Sequence, residues 1–400
     1  MSSDLVNVGG GVLAPYTDLP IFRTSERKAF KNCQWQWWYV YVEGLQKKGA
    51  RKGALWFGQG IHLALERWYI PGKDRGVDPI VTWLEYCLEA STDIRVEDDD
   101  GEFLTWMDAK DLGVAMLTHM LETYGDDDEW YILSPEQTVE VLIQHPQRPG
   151  EILVRYVGVF DIVARNRKTG LIWLWDHKTA RQIKVSHLKM DEQAGSYWTI
   201  AEPALKADGV IGENEHLRGI LYNFITKSPP DERPRNADGL YCNKPVKKDY
   251  VAALLGLYDD ELARHGDPID QSDIPVELTE KGLNTLKLPE LIKLAKKEDL
   301  EVFGAPSKVQ PAKRFHREEV QRSPKARERQ IKRIGEDYLQ LAAVRDGHFA
   351  KTKNPGDHCN WCPMKMLCEI DEEGGDTEEI IEFAYEKFDP YEQYTTEGKS

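Results

Sequence analysis

Asp161 closes one apolar run of the chain, in Gly158-Val-Phe-Asp161, and Asp176-His177-Lys178 closes the next. Side chains alternate along a strand, so Asp176 and Lys178 share a face, and a short turn between antiparallel runs brings Asp161 opposite them. Two carboxylates and the His177 main-chain carbonyl make an oxygen-rich set suited to Mg²⁺ or Mn²⁺. A cation held there lowers the pKa of bound water and neutralises charge on a phosphodiester. Lys178 is placed to orient that water or to stabilise developing negative charge. An isolated D-x-K is ordinarily a pair of solvated surface charges. Here it follows LIWLW, an apolar run that belongs in the middle of a sheet, where buried charge is costly without a task.

A second chemical set is Cys359-Asn-Trp-Cys362-Pro-Met-Lys-Met-Leu-Cys368. Three thiols so close in sequence converge at little entropic cost and suit zinc or an iron–sulfur cluster. Cys33, Cys87, Cys242 and His358 are the candidates for a fourth ligand. Cys87, in WLEYCLEA, lies in an apolar helical pattern and reads as a core residue.

The elements that must position these groups follow from periodicity. Residues 24–43 predict a helix opened by a Thr24/Ser25 cap signal, and 55–69, 79–90 and 106–124 predict further helices. Residues 137–145, 152–164 and 171–177 are β-branched or aromatic runs. They are separated by the turn signals PQRPG and NRKTG, which predicts a three-stranded meander. A helix over 186–205 and a strand over 217–226 follow. Residues 228–240 predict a loop, 246–303 mixed helix, and 316–346 a long charged helix. No repeat, low-complexity tract or Gly-x4-Gly-Lys-Ser/Thr loop is present, so no motor is built in.

The 400 residues are 41% hydrophobic, which excludes a largely disordered chain. No apolar run reaches the ~20 residues of a membrane span, and MSSDLVNVGG has no signal-peptide pattern, so a cytoplasmic protein without a membrane partner is expected. The net charge of −16 at first disfavours a polyanionic partner. That charge is concentrated: residues 369–400 hold 12 acids and 2 bases, and residues 91–130 hold 13 and 2. The remainder is +5. Residues 313–333, with nine Lys/Arg and three Glu, read either as a solvated helix face or as a phosphate-contacting surface. The acidic segment after Cys368 is expected to be mobile or a weak partner-binding element.

Gly-x-x-Asp followed on the next strand by Asp-x-Lys resembles the PD-(D/E)XK nuclease superfamily. Two further motifs narrow the resemblance to RecB-like exonucleases. Phe57-Gly58-Gln59-Gly60-Ile61-His62 is similar to the helix whose histidine binds metal there, and Gln193-x3-Tyr197 is similar to the Q-x-x-x-Y motif. The resemblance implies His62, Asp161, Asp176 and His177 as metal ligands. It makes Asp161, Asp176 and Lys178 catalytic, with Gln193 and Tyr197 on the substrate. Glu136 resembles the acid that opens the meander, with Glu140 as the competing choice. CRISPR-associated and AddB-type members hold a [4Fe-4S] cluster by one N-terminal and three C-terminal cysteines. Cys33 in FKNCQWQWWYV, with Cys359, Cys362 and Cys368, resembles that set.

The implied fold is a three-layer α/β/α, restriction-endonuclease-like core with a mixed central sheet and a helical iron–sulfur lobe joining the N- and C-terminal parts. The expected organisation is one nuclease domain over residues 1–368. Its core spans about 131–227, its iron–sulfur lobe 24–43 plus 350–368, and its helical insertions about 70–130 and 228–350. An acidic tail covers 369–400. The implied function is a Mg²⁺- or Mn²⁺-dependent DNA exonuclease of recombination, repair or phage DNA metabolism, acting on single strands or duplex ends, alone or with a helicase or recombination partner. A nicking or structure-specific endonuclease on the same fold, and an inert iron–sulfur DNA-binding accessory, are the alternatives.

Overall fold

A computed structural model describes residues 5–7, 16–48, 54–91, 100–228, 231, 233–265, 279–310 and 313–392. In chain order the first elements are β1 (Leu5–Asn7), β2 (Ile21–Arg23), α1 (Thr24–Asn32), α2 (Gln34–Trp37) and β3 (Leu45–Lys47). Next come α3 (Ala54–Trp68), α4 (Pro79–Ser91), α5 (Asp100–Tyr124), β4 (Trp130–Gln144), β5 (Ile152–Asn166), β6 (Ile172–Ala180), α6 (Glu192–Ala207) and β7 (Leu217–Thr226). After α7 (Lys247–His265), α8 (Glu280–Thr285) and α9 (Leu288–Lys297) come β8 (Phe315–Val320) and α10 (Pro324–Arg345). The chain closes with α11 (Lys365–Glu372), α12 (Thr377–Ala384) and β9 (Tyr385–Lys387).

Chain contacts divide the molecule into two units, residues 1–229 with 314–400, and residues 230–313. The first unit is built on a seven-stranded sheet ordered β1-β4-β5-β6-β7-β8, with β2 paired to β5. The β4-β5-β6 meander is antiparallel, as its turns dictate. The sheet is mixed because β6–β7 and β2–β5 pair in parallel. The LIWLW run explains the layering. Ile172 and Leu174 bury among residues of α1, α6 and α10, whereas Trp173 and Trp175 bury among residues of α3, α4 and α5. A strand covered on both faces is apolar at every position rather than at alternate ones. The molecule thus has the mixed α/β fold, helices on both faces of a mixed sheet, that the sequence implied.

Three segments differ from expectation. The helix expected over 24–43 breaks at Cys33, whose extended φ of −162° separates α1 from α2, and the chain continues as a π-helical turn over Trp38–Val42. Neither Thr24 nor Ser25 caps it. The Ncap is Arg23, without a side-chain cap, and the Thr24 hydroxyl hydrogen-bonds the Tyr156 hydroxyl at 2.6 Å. The long helix expected over 316–346 is a strand, β8, and then α10, with Ser323 accepting from the Ala326 N–H at the boundary. Residues 369–392 of the acidic segment, expected to be mobile or a weak partner-binding element, include the end of α11, α12 and β9. There β9 pairs with β3, and the Tyr391 hydroxyl bonds the buried Glu26 carboxylate.

A smaller core joins both ends of the chain. Tyr39, Leu45, Met364, Leu367 and Tyr385 are buried together, with Trp35, Cys362 and Cys368 packed on them. The second unit has its own core, in which Val251 and Leu254 of α7 meet Leu283 of α8 and Leu291 and Ala295 of α9. Among the described residues no helix is long and apolar enough to cross a membrane.

Candidate active site

The site forms where the central sheet splits. Antiparallel pairing of β5 with β6 stops at Ile162 opposite Trp175, while β6 continues beside β7 as far as Ala180 opposite Thr226. Asp161 and Asp176 are the first residues past the last pair. The ladder bond lost there is replaced by a side chain, because Asp161 Oδ2 accepts the His177 N–H at 2.5 Å. Diverging strands leave backbone groups and room for polar side chains between sheet and helices, so two acids sit deep in an otherwise apolar layer.

Helix α3 delivers His62, whose Nδ1 lies 3.1 Å from Asp161 Oδ1. Helix α6 delivers Gln193 and Tyr197 on one face. Its Ncap, Asp191, accepts the N–H groups of Gln193 and Ala194 at 2.8 and 3.1 Å, which fixes the first turn. Gln193 then ties the site together. Its Nε2 donates to Asp176 Oδ1 at 3.2 Å and to the Tyr197 hydroxyl at 3.1 Å, and its Oε1 accepts from Lys178 Nζ at 3.1 Å. Lys178 Nζ also lies 2.5 Å from Asp176 Oδ2 as an ion pair, although that oxygen accepts no aligned hydrogen bond. Tyr197 packs edge-on against Phe160, and Lys178 sits above the Tyr222 ring at 5.8 Å.

The electrostatics are those of two carboxylates forced close together. Burial alone raises the pKa of Asp161, but His62 and the His177 N–H outweigh it and hold this carboxyl well below its ordinary range. Asp176 moves the other way: burial raises it, Lys178 opposes, and the Asp161 charge adds to the rise. Burial opposes charge on His62, yet Asp161 beside it keeps the imidazole above its usual pKa. Lys178 likewise stays fully charged, because Asp176 outweighs the cost of burial. The His177 ring lies on the opposite face, stacked on Tyr69 at 6.0 Å, and burial pushes it down to about 3. Its Nδ1 meets Asn223 Nδ2 at 3.0 Å, and its buried Nε2 has no hydrogen-bond partner.

Of the residues singled out for this site in the sequence, His62, Asp161, Asp176, Lys178, Gln193 and Tyr197 come together by their side chains, whereas His177 joins them only through its main-chain N–H. Of the two acids opening the meander, Glu140 is occupied by Arg155, at 2.5 and 3.2 Å. Glu136 instead acts on Glu66, whose pKa is raised by burial and then by the Glu136 charge. Sequence reasoning missed Glu66. It lies four residues after His62 on α3, so it shares a helix face with the histidine that the resemblance picks out.

The donor chemistry fits a divalent cation: two buried, mutually repelling carboxylates, one with an oxygen outside any aligned hydrogen bond. Among the described residues no three His, Cys, Asp or Glu side chains close to metal-ligand spacing. Of the four candidate cluster cysteines, Cys362 and Cys368 pack on the same small core. The Cys368 thiol is pushed up to about 11 by burial, then by Cys33 and Cys362, and Cys362 is raised by burial and then by Cys33 and Cys359. Cys87 is buried in the α3–α5 core and Cys242 in the second unit. The basic run of residues 313–333 is partly consumed internally. Arg317 pairs with Asp127, Arg322 donates to the Asp191 carbonyl, and Arg327 faces Glu202 at 3.6 Å.

Fold and site together define a nuclease core. Residues 24–369 match the profile of the PD-(D/E)XK nuclease superfamily, and the chain belongs to that superfamily. No individual curated protein matches it.

Proposed function

We propose that this protein is a metal-dependent DNA exonuclease of the RecB-like type, acting in DNA recombination, repair or phage DNA metabolism. The observation carrying the reading is the split between β5 and β6, where Asp176 and Lys178 meet on Gln193 and Asp161 accepts the His177 N–H. Asp161, Asp176, His62 and the His177 main-chain carbonyl are the ligand set for Mg²⁺ or Mn²⁺. Such a cation, when bound, supplies a water of lowered pKa and positive charge for the phosphodiester. Asp161 is already ionised and fixed by two donors. Lys178 keeps its proton and meets negative charge developing on the phosphate oxygens. Gln193 holds Lys178 and Asp176 in register, and with Tyr197 it forms the wall against which the substrate strand lies.

In the same reading Cys33, Cys359, Cys362 and Cys368 hold a [4Fe-4S] cluster resembling that of the CRISPR-associated and AddB-type nucleases. The cluster supplies a covalent staple between the two ends of the chain, and its role is structural. The shared small core and the mutual influence of the four thiols support this assignment.

The test uses end-labelled linear and circular DNA, single- and double-stranded, with Mg²⁺, Mn²⁺ or EDTA. Linear DNA is expected to shorten from its ends with either metal and to persist in EDTA, and circular single strands are expected to survive. Cleavage of circles identifies a nicking or structure-specific endonuclease. Binding without cleavage under every condition identifies an inert accessory protein.

A further inference from the structure

Asn223 is fully buried in β7, and it is the only amide or charge in the run Ile220-Leu-Tyr-Asn223-Phe-Ile225. Leu221 and Ile225, two residues either side of it and so on the same strand face, belong to the apolar core under α3. A buried amide in such a layer is costly unless it is hydrogen-bonded. Its side chain meets His177, its direct partner in the parallel β6–β7 pair: Asn223 Nδ2 lies 3.0 Å from His177 Nδ1. An amide nitrogen can only donate, so Nδ1 accepts and the neutral ring carries its proton on Nε2. Among the described residues, Asn223 Oδ1 and His177 Nε2 are both buried without a partner. One hydrogen bond therefore fixes the imidazole.

The ring matters because of what it abuts. Tyr69 lies nearly parallel to it, with 6.0 Å between centroids at 20°, and His62 meets it edge-on at 6.0 Å and 87°. His62 is on α3, and Tyr69 continues that helix, its N–H donating to the Leu65 carbonyl at 2.9 Å. Both oxygens of Asp161 then depend on His177. Oδ2 accepts the His177 N–H, and Oδ1 meets Nδ1 of the His62 ring that His177 abuts. A tilt of the imidazole shifts the peptide and the neighbouring ring together.

We propose that Asn223 is a positioning residue, which acts through the His177 ring to hold Asp161 and the His177 carbonyl in the geometry that takes up the divalent cation. The role rests on the nuclease reading for the cation, and on the β6–β7 contact for its geometry.

Two measurements test it without any cleavage. The first is nuclear magnetic resonance of protein carrying isotope-labelled histidine, in which the His177 signals are those missing from His177→Leu. They should show a proton on Nε2 and a bare Nδ1, and a protonated Nδ1 overturns the proposal. The second is calorimetric titration with Mn²⁺, without DNA, of wild type, Asn223→Leu, His177→Leu and the double variant. Asn223→Leu is expected to weaken Mn²⁺ binding about tenfold or more, as losing a group that orients a ligand does. The double variant should bind no more weakly than His177→Leu alone, because Asn223 reaches the cation only through that ring. Additive losses in the double variant, or wild-type affinity in Asn223→Leu, overturn the proposal. With Mg²⁺ and DNA, Asn223→Leu should lower kcat about tenfold and leave KM for DNA within about twofold. Weakened Mn²⁺ binding in a protein that cuts no DNA would sustain the positioning role and sink the nuclease reading. Wild-type Mn²⁺ affinity in variants that cut DNA would do the reverse.

Discussion

At the scale of single residues, the roles proposed for Gln193 and Lys178 belong to one hydrogen-bonded pair. Asp176→Asn and Lys178→Ala should each lower cleavage by about a thousandfold or more, because each removes charge from the reacting centre. Binding of DNA in EDTA should persist in both, and normal cutting by both would place catalysis elsewhere. Gln193→Ala should cost less, about tenfold in kcat, since it frees Lys178 and Asp176 without removing them. Position rather than residue type made the acids and lysine legible, because charges at the end of the apolar LIWLW run need a reason. Glu66 was not legible in the same way. A glutamate in a helix is ordinary until the position of His62 on that helix is known.

At the scale of elements, the parts with a buried face were the readable ones. Strands β4 to β7 and helices α3 and α4 carry apolar residues at every position their period demands. Strand β8 does not. Its FHREEV sequence is an edge strand whose inward charge, Arg317, is cancelled by a partner nearly two hundred residues earlier. Arg317 forks onto Asp127 and lies over the Tyr124 and Trp175 rings, 3.9 and 4.6 Å from their centroids. Asp127 itself sits at a φ of 54°, which suits Asp or Asn best. Arg317→Met strands a buried carboxylate and should destabilise the fold by about 3–5 kcal/mol. Adding Asp127→Asn should recover much of that loss, because an amide carries no charge to desolvate. Urea unfolding of the three proteins measures it, and equal stability of both variants would refute the account. The break between α1 and α2 at Cys33 was equally hidden, since nothing in FKNCQWQW departs from a helical pattern.

At the scale of the molecule, the two ends of the chain meet around the cysteines and around Glu26. Anaerobically purified protein should be brown and absorb near ~400 nm, as thiolate-held iron–sulfur clusters do. Cys33→Ser should bleach it and lower its solubility, and Cys87→Ser should not. Stoichiometric zinc without iron would overturn the assignment. Glu26 offers a test of the same junction by pH. Burial raises its pKa, and the bonds from Tyr391 and Trp37 offset only part of the rise. A raised carboxyl pKa means the folded chain holds this proton more tightly than the unfolded one. The resulting stability is complete below the unfolded value of about 4.3, and it is lost as pH climbs through the folded value. Glu26→Gln should therefore melt about 1–3 °C higher at pH 7 and match wild type near pH 4. A lower melting temperature at pH 7 would contradict this.

Contacts of such long sequence range also order events in time. Arg27, buried between α1 and α6, pairs with Glu192 of α6 at 3.8 Å and with Asp337, 310 residues later, and Glu26 bonds Tyr391, 365 residues on. At about 5–20 residues per second, a ribosome exposes the first partner roughly 15–75 seconds before the second. Through that interval the nascent chain already carries Asp161, Asp176 and Lys178, and α6 brings Glu192 and Ser196 to the Arg27 guanidinium, but its closer carboxylate is still missing. Burying a charge with part of its pairing is costly, so α10 strengthens the closure of α6 on α1. A chain stalled before residue 337 is therefore expected to hold α6 on α1 less firmly than the finished chain does.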